Sequence, residues 1–223
     1  MKLPWLSIVA GAAVLGAVIR AVCFTPLEIR QGAAQKIFYI HVPAAWVAFL
    51  AFALVAIASG FYLWVRDERL DRFAESSAEV GLVFTTVVLI TGPLWAKPIW
   101  GTYWAWWDVR LISTLFLWFI FVAYLVLRGA VETQAMRARY SAVLGILGAL
   151  LIPFIHVSVY LFATMHPLPI VAKTSAPSLP GEMLTTLLIS LGAFTLLYVA
   201  FVDTRYRYAV ERDAIAARTD QHA

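Results

Sequence analysis

The chain carries a single cysteine, Cys23, which excludes an internal disulfide and a thiolate metal cluster. Charge is scarce too: Asp, Glu, Lys and Arg together make up 13% of the 223 residues. A soluble domain carries about a quarter of its residues as charges. That shortfall excludes an ordinary soluble fold, and the formal net charge of +4 is then no sign of nucleic-acid binding. No phosphate-cradling ATP-binding loop is present, so any nucleotide-driven step needs another subunit. No internal repeat and no separate soluble domain interrupts the chain. The N-terminal apolar run lacks a small-residue cleavage pattern and reads as a retained anchor.

What remains is apolar: 62% of the residues are hydrophobic. A bilayer core of about 30 Å needs about 20 apolar residues in a helix. Six runs meet that need, at 3–24, 43–65, 77–95, 111–128, 140–162 and 183–202. Backbone groups in hydrocarbon must be bonded within their own segment, so the runs predict helices. The expected fold is an all-α, polytopic integral membrane protein, one six-helix domain over 1–223. Lys and Arg set the orientation. An inside N-terminus places Lys2, Arg66, Arg69, Arg72, Arg128, Arg137, Arg139, Arg205, Arg207, Arg212 and Arg218 in the cytoplasm, 11 of the 17 cations. Both termini are then cytoplasmic, and 25–42, 96–110 and 163–182 face outward. The inner stretches RDERLDRFAES and Arg128 to Arg139 read as solvated connections, and Asp203 to Ala223 as a charged, solvated tail with helix open to it.

The tryptophan-rich loop, 95–110, reads WAKPIWGTYWAWWDVR. Trp95, Trp100, Trp104, Trp106 and Trp107 are five of the nine tryptophans in the chain. Indole rings favour membrane interfaces, which accounts for two or three of them. So many rings beside Gly101, Pro98 and Asp108 form a platform for a large, flat, apolar ligand. Two histidines fall on the same side. His41 stands just before the second helix, with Pro43 in its first turn, and His166 is held between Met165 and Pro167. The third helix is expected to end at Gly92-Pro93. His156 lies at membrane depth with Pro153, where a hydrogen bond that packs helices is the expected role. His222 belongs to the charged tail. Asp108 has three structural roles open to it: orienting an indole N–H, bonding backbone donors, or pairing with Arg110. No arrangement makes a case for acid–base catalysis, so no enzyme is expected.

Trp100-Gly101-Thr102-Tyr103-Trp104-Ala105-Trp106-Trp107-Asp108-Val109-Arg110-Leu111 resembles the W-G-x-x-W-x-W-D-x-R-L signature of the CcmC/CcmF/CcsA haem-handling membrane proteins. Within these, the cytochrome c maturation protein C (CcmC) family is the nearest likeness. One extra residue stands between Trp104 and Asp108, so Trp106 and Trp107 both compete for the family position. Tyr39-Ile40-His41-Val42-Pro43-Ala44-Ala45 and the Lys97 to Thr102 run match further family motifs, and Pro153 to His156 has a counterpart there. The resemblance implies His41 and His166 as haem ligands. It implies Trp100, Trp104, Trp106, Trp107, Asp108 and Arg110 as cofactor contacts. Haem iron takes imidazole donors, and its anionic propionates call for cations, with Arg110, Lys97, Arg30 and Lys36 on the right side. The expected task is to hold haem b at the outer face of the bacterial inner membrane and present it to the haem chaperone CcmE. Implied partners are the ABC-type subunits CcmA and CcmB and the small membrane protein CcmD. Two other readings stand beside it. A membrane b-type cytochrome wants histidine pairs inside helices, where only His156 lies. A permease with an interfacial aromatic cap would tolerate loss of both outer histidines.

Overall fold

The computed structural model describes residues 5–168 and 178–220. Lys2, Pro169, Lys173, Pro177 and His222 lie outside the described residues. The helices are α1 (Trp5–Ile19), α2 (Phe38–Val65), α3 (Glu68–Trp100), α4 (Val109–Ala130), α5 (Gln134–Ala149), α6 (Leu151–Leu161) and α7 (Gly181–Asp220). A π-turn, Arg20–Phe24, continues α1, and a 3-10 turn, Ala33–Ile37, leads into α2. Among the described residues the elements form six stretches long and apolar enough to cross a membrane, α5 and α6 sharing one. The expected all-α membrane architecture is what the chain adopts.

The helices overrun the expected limits, and the reasons are local. α2 begins at Phe38, so His41 lies inside the helix and Pro43 beyond its first turn. α3 runs through Pro93 and Pro98 to Trp100, past the expected stop at Gly92-Pro93. Proline is tolerated in a membrane helix where neighbours satisfy the freed carbonyls. Trp95 to Trp100 are therefore helical, and the true loop is confined to Gly101 to Asp108. Gly101 ends α3 at φ 77°, a left-handed conformation suited to glycine, and its N–H bonds the Lys97 carbonyl at 3.0 Å. The fifth crossing breaks at Leu150. Pro153 has no N–H to offer the carbonyl of Ala149, which is where α5 stops. α7 does not end near 202 but continues as helix to Asp220.

α2 is the central element, packing against α3, α5 and α7. Ala44, Val47, Ala48 and Ala51 of α2 meet Val80 and Phe84 of α3 and Phe194, Tyr198 and Val202 of α7. One turn further along, Phe52 and Val55 join Leu117, Phe121 and Tyr124 of α4 and Ile155 of α6. Small residues let the backbones approach: a Cβ on Gly148 would sit 2.7 Å from Ile120 Cγ2.

The two connections expected to be solvated turns are so only in part: Arg66, Glu68, Arg69 and 132–136 are exposed, but other charges of these stretches are taken into the bundle. Asp71, Arg72 and Glu75 lie within α3, and Arg128 lies in the last turn of α4. The buried Arg128 guanidinium donates to Asp71 at 2.6 and 2.9 Å and to Glu75 at 3.0 Å. Arg212 of α7 donates to both carboxylate oxygens of Glu75, at 2.8 and 3.0 Å, sharing Oε2 with Arg128. Arg72 pairs with Asp213 at 2.8 Å. This network clamps α3, α4 and α7 at the end opposite the tryptophans. His156 makes no hydrogen bond among the described residues and its side chain is exposed, so the expected packing bond is absent.

Candidate functional site

The start of α2, the ends of α3 and α6 and the start of α4 lie at one end of the bundle, because successive crossings alternate in direction. His41 is therefore presented from a helix, one turn in. Its Nδ1 shares a 2.9 Å hydrogen bond with the Thr91 hydroxyl of α3. The Trp95 ring stands edge-on to the imidazole, centroids 5.7 Å apart. Gly92 lets the α3 backbone come close: a Cβ there would lie 3.4 Å from His41 Cε1. Trp95 is itself held, its indole N–H donating to Gln31 at 3.0 Å. The second ring nitrogen of His41, Nε2, has no hydrogen bond among the described residues.

Asp108 is fully buried and joins the tryptophan loop to the segment that carries His166. Its Oδ1 accepts from the N–H groups of Arg110 and Leu111, at 3.0 and 3.1 Å, capping α4. Its Oδ2 accepts from the Met165 N–H at 2.7 Å. His166 Nδ1 lies 3.8 Å from the same oxygen, close enough for electrostatic attraction but too far for a hydrogen bond. Burial is the largest influence on the Asp108 carboxyl and opposes ionisation. The facing His166 and the N–H groups of Met165 and Leu111 outweigh it and hold the carboxyl down to about 2. Of the three roles the sequence left open to Asp108, the backbone bonds are the ones made.

The tryptophans divide by depth. Trp100 packs on the His166 ring, centroids 5.7 Å apart, and Trp104 meets Trp106 edge-on at 5.8 Å. Trp104 is half-buried, and its indole Nε1 has no hydrogen-bond partner, as is also true of His166 Nδ1. Trp106 and Trp107 are 75% and 63% exposed, and Trp107 enters no ring pair among the described residues. The cations divide as well. Lys97 bonds the Gly101 carbonyl at 2.9 Å and lies over the Tyr103 ring, while Lys36 donates to the Thr25 carbonyl. Arg30 is exposed. Arg110 is half-buried, and its guanidinium makes no hydrogen bond and no ion pair among the described residues. His41, His166 and Arg110 are near enough to interact electrostatically. Thr91, Gln31 and the Met165 N–H were not singled out from sequence, and Trp95 was counted with the loop rather than as a neighbour of His41, although Thr91 and Trp95 stand four apart on one helix face.

A family profile described as "Heme exporter protein C" (CcmC) matches residues 1–221. The chain belongs to the CcmC family. Among its relatives, haem exporter protein C of Bradyrhizobium diazoefficiens is 39% identical over 199 residues, 88% of this chain and 74% of the relative. The Paracoccus denitrificans protein of the same name is 34% identical over 224 residues, 96% of this chain and 89% of the relative. That of Escherichia coli K12 is 34% identical over 164 residues, 74% and 66% of the two chains. The donors at this end of the bundle suit a metalloporphyrin better than a bare ion. No group of three His, Cys, Asp or Glu residues that could hold a metal occurs among the described residues. Haem iron needs only one or two protein donors, and its ring supplies the rest.

Proposed function

We propose that this protein holds haem b as cargo at the tryptophan end of the bundle and presents it to the chaperone CcmE during cytochrome c biogenesis. The observation that carries the reading is that His41, at the start of α2, and His166, on the segment after α6, lie at the same end of the bundle among polar groups left unsatisfied. His41 Nε2, His166 Nδ1, Trp104 Nε1 and the Arg110 guanidinium all lack a hydrogen-bond partner among the described residues. Of these, His166 Nδ1 and Trp104 Nε1 are buried, and buried polar groups left unpaired are costly, so the site suits something that joins them. In this reading His41 and His166 donate to the iron, and Arg110 meets a propionate. Trp100, Trp104, Trp106 and Trp107 brace the porphyrin, and Asp108 ties their loop to the segment that carries His166. The exposure of Trp106 and Trp107 suits a ligand that must be handed on rather than kept.

The same reading places the protein in the bacterial inner membrane with both termini cytoplasmic and the site on the outer face. The basic residues at the opposite end support that orientation. It makes the chain one subunit of an exporter complex with CcmA, CcmB and CcmD, the nucleotide-binding step residing elsewhere. The test is the absorption spectrum of purified protein, wild type against His41→Ala and His166→Ala. Iron coordination should change in each variant, and haem content should fall most in His41→Ala. Two variants with spectra like wild type would remove the ligand assignment, and rapid redox cycling of retained haem with quinols would favour an electron-transfer subunit.

A further inference from the structure

We propose that Thr91 is a positioning residue that fixes His41 in the tautomer whose Nε2 lone pair is free, and so readies that nitrogen for the iron. The inference rests on the haem reading above for its purpose, but not for its geometry. A threonine hydroxyl has one proton to donate. Thr91 Oγ1 lies 2.7 Å from the Val87 carbonyl one helical turn back and donates to it. With that proton committed, Oγ1 meets His41 Nδ1 at 2.9 Å as an acceptor, so Nδ1 carries the ring proton. A neutral imidazole has a single N–H, which leaves Nε2 bare. The opposite tautomer would place an N–H on Nε2, where no acceptor stands among the described residues. The Trp95 edge and the close α3 backbone at Gly92 hold the ring in the plane where this bond is made. Groups that hold the far nitrogen of a metal-binding histidine fix both its tautomer and its direction.

The experiment is nitrogen NMR of protein labelled at histidine, prepared without haem in lipid nanodiscs, where only four histidines contribute. His41 is assigned by comparison with His41→Ala. In wild type, Nδ1 of His41 should resonate as a protonated nitrogen and Nε2 as a bare one. Thr91→Val keeps the shape and removes the acceptor, so His41 should shift towards a tautomer mixture, and Thr91→Ser should restore the wild-type pattern. On loading, haem should leave Thr91→Val about 10- to 100-fold faster into an apoglobin acceptor, with Thr91→Ser near wild type. A protonated Nε2 in wild type overturns the inference without any variant, as does an unchanged His41 pattern in Thr91→Val. If instead the tautomer behaves as stated but His41→Ala binds haem like wild type, the positioning stands and the haem assignment is what fails.

Discussion

Replacing Asp108 by Asn isolates the contact that couples the tryptophan loop to His166. The side chain keeps its shape, and one amide oxygen can still accept from Arg110 and Leu111 N–H, so the cap on α4 survives. The amide nitrogen then faces the Met165 N–H, and a 2.7 Å bond to a carboxylate becomes two donors in opposition. A hydrogen bond to a charged acceptor contributes about 1.5–3 kcal/mol. Hydrogen exchange at the Met165 amide should therefore speed up by about 10- to 150-fold, while α4 amides stay protected. Under the proposed ligand assignment, loaded protein should lose the His166 side of its iron coordination and keep the His41 side. Asp108→Ala should cost about a further 1 kcal/mol through the lost cap. The carboxyl's folded value, about 2, lies below its ordinary 3.8, so its contribution is complete above the ordinary value and fades only as pH falls towards 2. Assays near neutrality thus read the full effect. Met165 exchange and haem spectrum both unchanged in Asp108→Asn would refute the coupling.

Other perturbations separate the site from the scaffold. Arg128→Met leaves Asp71 facing no cation and Glu75 holding only Arg212, and should lower unfolding stability in detergent by about 3–5 kcal/mol; a second change, Asp71→Leu, should recover part of it. Gly148→Ala puts a methyl 2.7 Å from Ile120 Cγ2 and 3.1 Å from the Phe121 ring, and should cost about 1–3 kcal/mol by the same denaturation assay. His156→Leu removes an exposed side chain without hydrogen bonds, so both unfolding stability and haem spectrum of the isolated chain should match wild type.

The membrane crossings were legible because hydropathy summed over a bilayer's thickness leaves little choice. Their ends were not. Proline and tryptophan mark an interface in sequence, yet α3 absorbs Pro93 and Pro98 and carries Trp95 to Trp100 as helix. Trp95 reaches His41 on that extension and Thr91 one turn before it; in sequence the first reads as part of an aromatic loop and the second as plain apolar span. The ionic clamp was missed for the converse reason. Asp71, Glu75 and Arg128 look solvated when each is read beside its own neighbours, and only the packing of α3 against α4 and α7 buries them together. The tie from Asp108 to Met165 had no signature at all, since its donor is a backbone N–H that every residue but proline owns.

The two histidines, matched in sequence reasoning, are held unequally. His41 is fixed by a helix, a hydrogen bond and an indole edge. His166 stands on a segment without regular structure, its ring touching Trp100 and its Nδ1 unbonded, its backbone held by the Met165 N–H on Asp108 and by the Thr164 hydroxyl on its own carbonyl at 3.3 Å. Less ordering entropy remains to be lost when the first ring takes a ligand than when the second does. In the proposed reading a cargo site gains from that inequality, because capture needs one firm donor and release needs one that lets go. His166→Ala should therefore retain haem through His41, with added imidazole filling the vacant position and restoring a six-coordinate spectrum. His41→Ala should lose most of its haem on purification, and imidazole should recover less of it. Equal retention and equal rescue in the two variants would mean that the rings act as equivalents and that the asymmetry of their supports has no bearing on release.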